Sequence, residues 1–261
     1  MQTFLSRAMR KAALWQRSLT GHRQSPADLG QAANRFWNDF SDLARAQEAH
    51  WRGHGAFADD AVWLRLGQDH FQLLQQALQR HGLEKQAQHV VEWGCGGGMN
   101  AVHFGRGAKT YHGVDIAAST LAECGRQMQR ERLAGFVPVL VDANQARAAL
   151  PQIGNQADLF ICTYLFELLT SDAHALELLD IAHAVLRPGG VALVHIRCSS
   201  GVLGRSRPWD YAQNMAHNVT FSVDQFRQVC KAAGFQVLEV VARPAVPELN
   251  EKDYAYFVLL R

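Results

Sequence analysis

A carboxylate followed by a cluster of glycines stands in the segment VVEWGCGGGMN of this 261-residue chain. Glu92 precedes Gly94 by two positions, and three more glycines follow at positions 96, 97 and 98. A glycine cluster after a short apolar run indicates a tight backbone turn that another group approaches closely. Because a carboxylate beside the turn would repel a phosphate, the group bound here is expected to be something other than a simple phosphate.

Two further acids follow apolar runs farther along the chain. Asp115 ends the run YHGVD, and Asp142 ends the run VLVD. A fourth run, ADLFIC, leads into Thr163 and Tyr164. Ligands of open α/β sheets bind at the carboxyl ends of the strands, so we expect Glu92 and the other strand-end residues to face one crevice.

Each acid suits one part of a ligand. A carboxylate after the second strand can accept two hydrogen bonds from a pair of ribose hydroxyls. The acid after the third strand suits the exocyclic amine of adenine, and the acid before the glycines suits a cation or an amine. A ligand that combines ribose, adenine, an ammonium and a positive sulfur, without phosphate, meets every requirement. The pattern therefore predicts S-adenosylmethionine as the cofactor.

The elements that must position these residues alternate between short β-rich runs and helical segments. Strand–helix alternation predicts a doubly wound, mostly parallel α/β sheet. The last two runs, FQVLEVVARP and YAYFVLLR, are joined by a loop alone, which predicts an antiparallel pair. The predicted fold class is a Rossmann-like, seven-stranded sheet with a helical lid before it.

The predicted organisation has three parts. Residues 1–24 are basic and are expected to form a solvated or partly disordered leader, and residues 25–87 form the helical lid. Residues 88–261 form the core, with an insertion at 198–221 that is expected to shape the acceptor pocket. Within the lid, the sequence RGHGAFADD breaks the helical pattern, and a helix is predicted from about residue 61 to 81.

The motifs resemble those of class I S-adenosylmethionine-dependent methyltransferases that act on small molecules. The likeness covers roughly residues 88–261 and rests on five ordered motifs: VVEWGCGGG, YHGVDIA, VLVDAN, ADLFICTYLFE and LRPGGVALV. It implies that Asp115 holds the ribose, Ile116 lies against the adenine, Asp142 meets the adenine amine and Thr163 lies near the methionine end. The implied cofactor-binding residues are Glu92, Gly94, Cys95, Gly96, Asp115, Ile116, Asp142, Ala143 and Thr163.

Two other classes of function stay open at this point. A dinucleotide-binding oxidoreductase also has a glycine loop, but its G-x-G-x-x-G pattern requires a third glycine where this chain has Met99. A methyltransferase-like protein that binds S-adenosylmethionine without turnover is the second alternative. Loss of the strand-end acids would favour it, and all three acids are present.

The candidates for catalysis follow from the chemistry of methyl transfer. A hydroxyl acceptor needs a base to take its proton, and we consider Tyr164, Glu167 and His217 for this role. His195 lies between Val194 and Ile196 and is expected to be a core residue instead. In the lid, Arg52 and His54 are expected to contact ligand.

The acceptor is predicted to be a small organic molecule, with O-methylation favoured over N-methylation. Enzymes of this family that methylate bases or glutamine usually have N-P-P-Y or D-P-P-Y after the fourth strand, where this chain has T-Y-L-F at 163–166. A net charge of +2 argues against a nucleic-acid partner. The five cysteines lack C-x-x-C spacing, so no metal site is predicted. No apolar run reaches the ~20 residues of a membrane span, and a cytoplasmic monomer or homodimer is expected.

Overall fold

The computed structural model describes residues 24–38, 43–83, 87–199, 206–242, 246, 249 and 253–261. The predicted basic leader, apart from its last residue, lies outside these ranges. Within the described ranges, three α-helices occupy the N-terminal region: α1 (Pro26–Asn38), α2 (Leu43–Glu48) and α3 (Asp60–Arg80). None of the helices in the described ranges combines the length and apolar character that a membrane span requires.

Seven strands form one sheet in the order β3-β2-β1-β4-β5-β7-β6. Their bounds are β1 (His89–Trp93), β2 (Thr110–Asp115), β3 (Phe136–Leu140), β4 (Ala157–Cys162), β5 (Leu186–Arg197), β6 (Gln236–Ala242) and β7 (Tyr254–Leu260). Strands β1 to β5 pair in parallel, whereas β7 pairs antiparallel with both β5 and β6. The predicted fold class and the antiparallel terminal pair are both confirmed.

Further helices follow the strands and cover the sheet. They are α4 (Ala101–Phe104), α5 (Ala118–Arg130), α6 (Leu150–Ile153), α7 (Asp172–Val185), α8 (Tyr211–Asn214) and α9 (Val223–Ala232). On one side, α7 and α9 bury Leu178 and Phe226 against the sheet. On the other side, Leu74 of α3 joins Leu121 of α5 in a second core. Since α3 shares this core with the strands, it is packed as a structural layer of the sheet.

The strand order places a switch point between β1 and β4. The chain runs outward from β1 through β2 and β3 on one side, and through β4 and β5 on the other. Connections at such a point diverge and leave a crevice beyond the carboxyl ends of the central strands. The glycine cluster follows β1 and Thr163 follows β4, so the sequence places its candidate residues at this crevice.

Candidate functional site

An open cavity of about 850 Å³, a volume that includes the solvent at its mouth, lies at the carboxyl ends of the strands. One side, the strand-end wall, consists of the residues that follow β1, β2, β3 and β4. Seven of the nine predicted cofactor-binding residues lie on this wall: Gly94, Gly96, Asp115, Ile116, Asp142, Ala143 and Thr163. The other side, the cover, consists of α1 and residues 46–51, which we call the cover segment; Trp37 and Ala49 line the cavity from the cover.

The glycine loop folds back over β2. The backbone N–H groups of Gly94 and Cys95 donate to the carbonyl of Val114, at 2.8 and 3.1 Å. Gly94, Gly96 and Gly98 have φ of +73°, +53° and +88°, values that favour glycine. The tight turn predicted from the sequence is therefore present.

The group that approaches the glycine loop most closely is the cover segment. The N–H of Gly97 donates to the carbonyl of Ala49 at 2.9 Å. A Cβ on Gly97 would lie 2.8 Å from the carbonyl oxygen of His50 and 2.9 Å from the Cα of Trp51. Because Gly97 has no side chain, the backbone of the cover segment can pack directly against the glycine loop.

Asp115 is held rigidly at the cavity. Its Oδ1 accepts a hydrogen bond from the N–H of Ala117 at 3.0 Å, and its Oδ2 accepts one from the N–H of Gly96 at 3.3 Å. Desolvation raises the pKa of the Asp115 carboxyl to about 6, although these backbone donors oppose the shift. A carboxylate uses only part of its acceptor capacity on two such bonds, so it can still accept from a diol in the cavity.

Asp142 and Ala143 are bound by a residue that the sequence analysis did not single out. The Asn34 amide of α1 donates to Asp142 Oδ2 at 2.8 Å and accepts from the N–H of Ala143 at 3.1 Å. One turn later, Asn38 donates to the carbonyl of Ile116 at 3.0 Å. The i, i+4 spacing of these two asparagines on α1 was the available signal, because such residues share one helix face.

Glu92 lies behind the strand-end wall. It is 1% exposed, and its two oxygens accept from the Asn100 amide at 2.7 Å and from the Tyr111 hydroxyl at 2.6 Å. Burial raises the pKa of the Glu92 carboxyl to about 8. The same Asn100 amide donates to Thr163 Oγ1 at 2.9 Å, so Glu92 is linked to a residue that lines the cavity.

Cys95 occupies a similar position behind the glycine loop. It is 3% exposed, and hydrogen bonding with Cys124, together with burial, raises the pKa of its thiol well above the ordinary value. Met99 is also buried and packs with Phe57, Trp63 and other apolar residues. The side chains of Cys95 and Met99 are thus packing residues in this fold.

The three candidate bases occupy different environments. Tyr164 lines the cavity. Glu167 is 3% exposed, with Oε1 accepting from the Tyr254 hydroxyl at 3.3 Å. His217 is partly buried, and burial with the charges of Arg197 and Arg207 lowers its pKa to about 4. Among the described residues that line the cavity, Tyr164 is the candidate base that is present.

Other predicted residues have clear positions. His195 is fully buried and stacks on Tyr254 and Tyr256 at centroid distances of 4.6 and 4.5 Å, which confirms the expected core histidine. Arg52 forms ion pairs with Asp60 at 2.6 Å and Glu131 at 3.3 Å. Its guanidinium therefore connects the residue after the cover segment to the first residue of α3 and to the residue that follows α5.

Several cavity-lining residues were missed or only grouped with a region by the sequence analysis, among them His50 and Tyr211. His50, from the cover segment, lines the cavity two positions before the predicted Arg52. Tyr211 comes from the 198–221 insertion, of which the structure describes residues 198–199 and 206–221, and its hydroxyl accepts from the Trp37 indole at 2.9 Å. The insertion thus contacts the cover at the edge of the cavity.

Most of the chain matches a model of a known protein family. Residues 66–240 match the family model described as a methyltransferase domain. The match covers about two thirds of the chain, from within α3 into β6, and so includes the whole strand-end wall. No curated protein matches the chain.

Solved structures show the same fold at low identity. Magnesium protoporphyrin IX methyltransferase (ChlM) from Synechocystis PCC 6803, with bound SAH, gives a TM-score of 0.61 at 14% identity over 88% of this chain and 99% of that chain. The N-methyltransferase NodS from Bradyrhizobium japonicum WM9, in complex with S-adenosyl-l-homocysteine, gives 0.55 at 14% over 74% and 85%. The cyclase SpnF gives 0.54 at 17% over 73% and 80%.

Proposed function

The chain belongs to the methyltransferase domain family, and on this premise we propose that it transfers a methyl group from S-adenosylmethionine to a small organic acceptor. The observation that carries the proposal is the pair of carboxylates, Asp115 and Asp142, at the ends of neighbouring strands in one cavity. Both are acceptors that suit the donors of a nucleoside, and the glycine loop lies beside them.

The residues present fit this cofactor. Asp115 would accept from the ribose hydroxyls, and Ile116 and Ala143 would contact the adenine, whose amine would meet Asp142. Gly94, Gly96 and Thr163 would surround the methionine part, while Glu92 would act through Asn100. When bound, S-adenosylmethionine supplies an electrophilic methyl group on a positive sulfur. The protein would bind and align the two reactants and exclude water from them.

Transfer to oxygen is the favoured reaction. The segment after β4 is T-Y-L-F, and the cavity has imidazole and hydroxyl side chains beside that segment, which suits an acceptor that loses a proton. N-methylation of a small amine is the second candidate. NodS is described as an N-methyltransferase, so this fold supports that reaction in another protein.

Binding without methyl transfer is the alternative from a different class. SpnF shares the fold and is described as a cyclase, and fold alone does not fix the reaction. A pyrophosphate-containing dinucleotide fits less well, because Met99 replaces the third glycine of that pattern and is buried in the core.

Two measurements test the proposal together. Calorimetry should show micromolar binding of S-adenosylmethionine and S-adenosylhomocysteine, and no comparable binding of NAD. A screen of metabolite extracts with methyl-labelled cofactor should then reveal a labelled product. Tight cofactor binding with no labelled product from any extract would favour the non-enzymatic alternative, and absence of cofactor binding would refute both.

A further inference from the structure

Two residues other than glycine with left-handed backbones meet at the wall of the cavity. His50 of the cover has φ of +56°, and Tyr164 of the strand-end wall has φ of +57°. Both line the cavity, and their ring centroids are 4.8 Å apart in an edge-to-face arrangement. Residues other than glycine rarely adopt this conformation, and such positions cluster at active sites.

The surrounding structure fixes both backbones. The N–H of His50 donates to the carbonyl of Gln47 at 3.1 Å, and the carbonyl of His50 accepts from the indole of the fully buried Trp63 at 2.9 Å. The N–H of Tyr164 donates to Nδ1 of the core residue His195 at 3.4 Å. The strain at each residue is therefore maintained by contacts outside the cavity.

His50 is also positioned against the glycine loop. The residue before it, Ala49, accepts the hydrogen bond from Gly97. Tyr164 follows β4, which is three strands from β3 and its Asp142. At the usual strand spacing this places Tyr164 about 14 Å from the Asp142 end. A nucleoside held by the carboxylates after β2 and β3 would thus direct its sulfur toward His50 and Tyr164.

From this geometry we propose that His50 is the catalytic base of the methyl transfer and that the Tyr164 ring, in contact with the imidazole, forms the adjoining surface of the acceptor site. The inference rests on the proposed function. An acceptor hydroxyl oxygen forms the new bond to the methyl carbon, and the electron pair of the broken carbon–sulfur bond stays on sulfur. The hydroxyl proton passes to the neutral His50 imidazole, which later releases it to solvent.

His50 suits this role better than its neighbours. The other titratable side chains that line the cavity are Glu48, Asp115, Asp142, Tyr164, His174 and Tyr211. Asp115 and Asp142 are assigned to the nucleoside, whereas Glu48 and His50 flank Ala49, the residue whose carbonyl accepts from the glycine loop. Imidazole is the side chain whose basicity suits proton transfer near neutral pH.

The first test needs no acceptor. The imidazole resonance of His50 is identified as the one lost in His50→Asn, and asparagine tolerates a left-handed backbone. Its pH midpoint is then measured with bound S-adenosylmethionine and with bound S-adenosylhomocysteine, which lacks the positive charge on sulfur. If His50 lies beside the reacting centre, the midpoint is lower in the first complex, by about half a pH unit or more.

The second test measures turnover with an acceptor from the extract screen. His50→Asn should lower kcat by about 100-fold while the Kd for S-adenosylmethionine changes less than about threefold. His50→Gly, which also accepts the backbone conformation, should behave alike. The control His81→Asn, where His81 lies at the far end of α3 beside Glu239, should keep kcat within about twofold.

The outcomes distinguish the role of His50 from the proposed function of the protein. Equal midpoints in the two complexes, or retained kcat in both His50 variants, overturns the role of His50 while leaving cofactor binding intact. Failure of the parent protein to bind S-adenosylmethionine overturns the proposed function itself. A lower midpoint together with a selective loss of kcat supports the proposal.

Discussion

The strand-end wall and the cover line the same cavity but are positioned by different interactions. On the strand-end wall, Asp115 ends β2 and Asp142 lies two residues beyond the end of β3, and these two strands pair in parallel, so sheet pairing brings the two carboxylates together. On the cover, Asn34 and His50 belong to segments that reach the cavity through tertiary contacts with the loops after β3 and β1. The strand-end wall is therefore positioned by strand pairing within the sheet, whereas the cover is positioned by tertiary contacts with the loops.

This difference has a consequence for cofactor binding. The cover binds the glycine loop through Gly97 and the loop after β3 through Asn34, so two of its attachments are to loops of the candidate cofactor site. Ligand binding and docking of the cover should therefore be energetically coupled. Substitutions at the attachment points are the direct way to break that coupling.

Gly97→Ala should have the largest effect. The added Cβ meets the backbone of His50 and Trp51 below 3.0 Å, and backbone atoms cannot move aside as a flexible side chain can. We expect a loss of about 2 to 3 kcal/mol in the free energy of unfolding, measured by urea titration, and a large loss of S-adenosylmethionine affinity.

Gly125→Ala is the matched control for that substitution. Gly125 lies within α5, its Cβ would be 3.3 Å from the Phe136 ring, and alanine favours helix. Its free energy of unfolding should stay within about 1 kcal/mol of the parent. If both variants lose stability equally, close contact between the cover and Gly97 is not the cause.

Asp115→Ala should weaken S-adenosylmethionine binding by about 2 kcal/mol, roughly 30-fold, because it removes the acceptor for the ribose hydroxyls. Asp69→Ala, which changes a half-exposed carboxylate on α3, should leave the affinity unchanged in the same calorimetric titration. An unchanged affinity in Asp115→Ala would show that ribose binding is assigned to the wrong residue.

The affinity should also depend on pH through Asp115. Its pKa is raised to about 6, so the carboxyl becomes protonated as the pH falls below 6 and loses acceptor capacity for the diol. We expect S-adenosylmethionine affinity to decline from pH 7 to pH 5 in the parent. The Asp115→Asn variant should lack this component of the pH dependence.

The sequence predicted the strand-end wall well because strands have a simple geometry. Asp115 and Asp142 follow apolar runs, and parallel pairing makes their proximity a necessary result. Glu92 was expected to face the crevice, yet it is the next-to-last residue of β1, and its side chain points to the sheet face opposite Trp93. Trp93 lines the cavity, while Glu92 meets Tyr111 in the layer behind it.

The cover was much harder to predict. Helical periodicity in α1 shows which face is apolar, but it carries no information about which loop that face contacts. The sequence predicted that the helical pattern breaks at Arg52. This position is close to the observed end of α2 at Glu48 and immediately follows the cover segment, which ends at residue 51. His50 was missed because its proposed role depends on its left-handed backbone and on the long-range hydrogen bond of Ala49. Neither feature can be read from composition or residue spacing.

Glu92→Gln should change how stability depends on pH. The folded pKa of Glu92, about 8, exceeds its ordinary value, so the folded protein binds more protons than the unfolded chain between about pH 4.5 and 8. This group's contribution to stability is present at acidic pH and is lost as the pH rises through 8. Glutamine can accept from the Asn100 amide through its oxygen and donate to the Tyr111 oxygen through its own amide, and it carries no charge.

The variant should therefore gain on the parent as the pH rises, by up to about 1 kcal/mol per pH unit near neutrality. Urea unfolding at pH 6, 7 and 8 measures the difference. Parallel pH profiles of the two proteins would mean that Glu92 is ionised in the fold, stabilised by its two donors.

Asn34→Ala should have the smallest effect and tests the coupling between the cover and the strand-end wall most directly. The substitution removes one bond to Asp142 and one to Ala143 at a partly exposed site, so the loss of stability should be about 1 kcal/mol or less.

Asp142→Ala removes the bond to Asn34 and the predicted contact to adenine. If Asn34 acts by holding Asp142, the affinity loss in the double variant is smaller than the sum of the single losses, by about 0.5 kcal/mol or more. Additive losses would show that α1 covers the cavity without orienting Asp142.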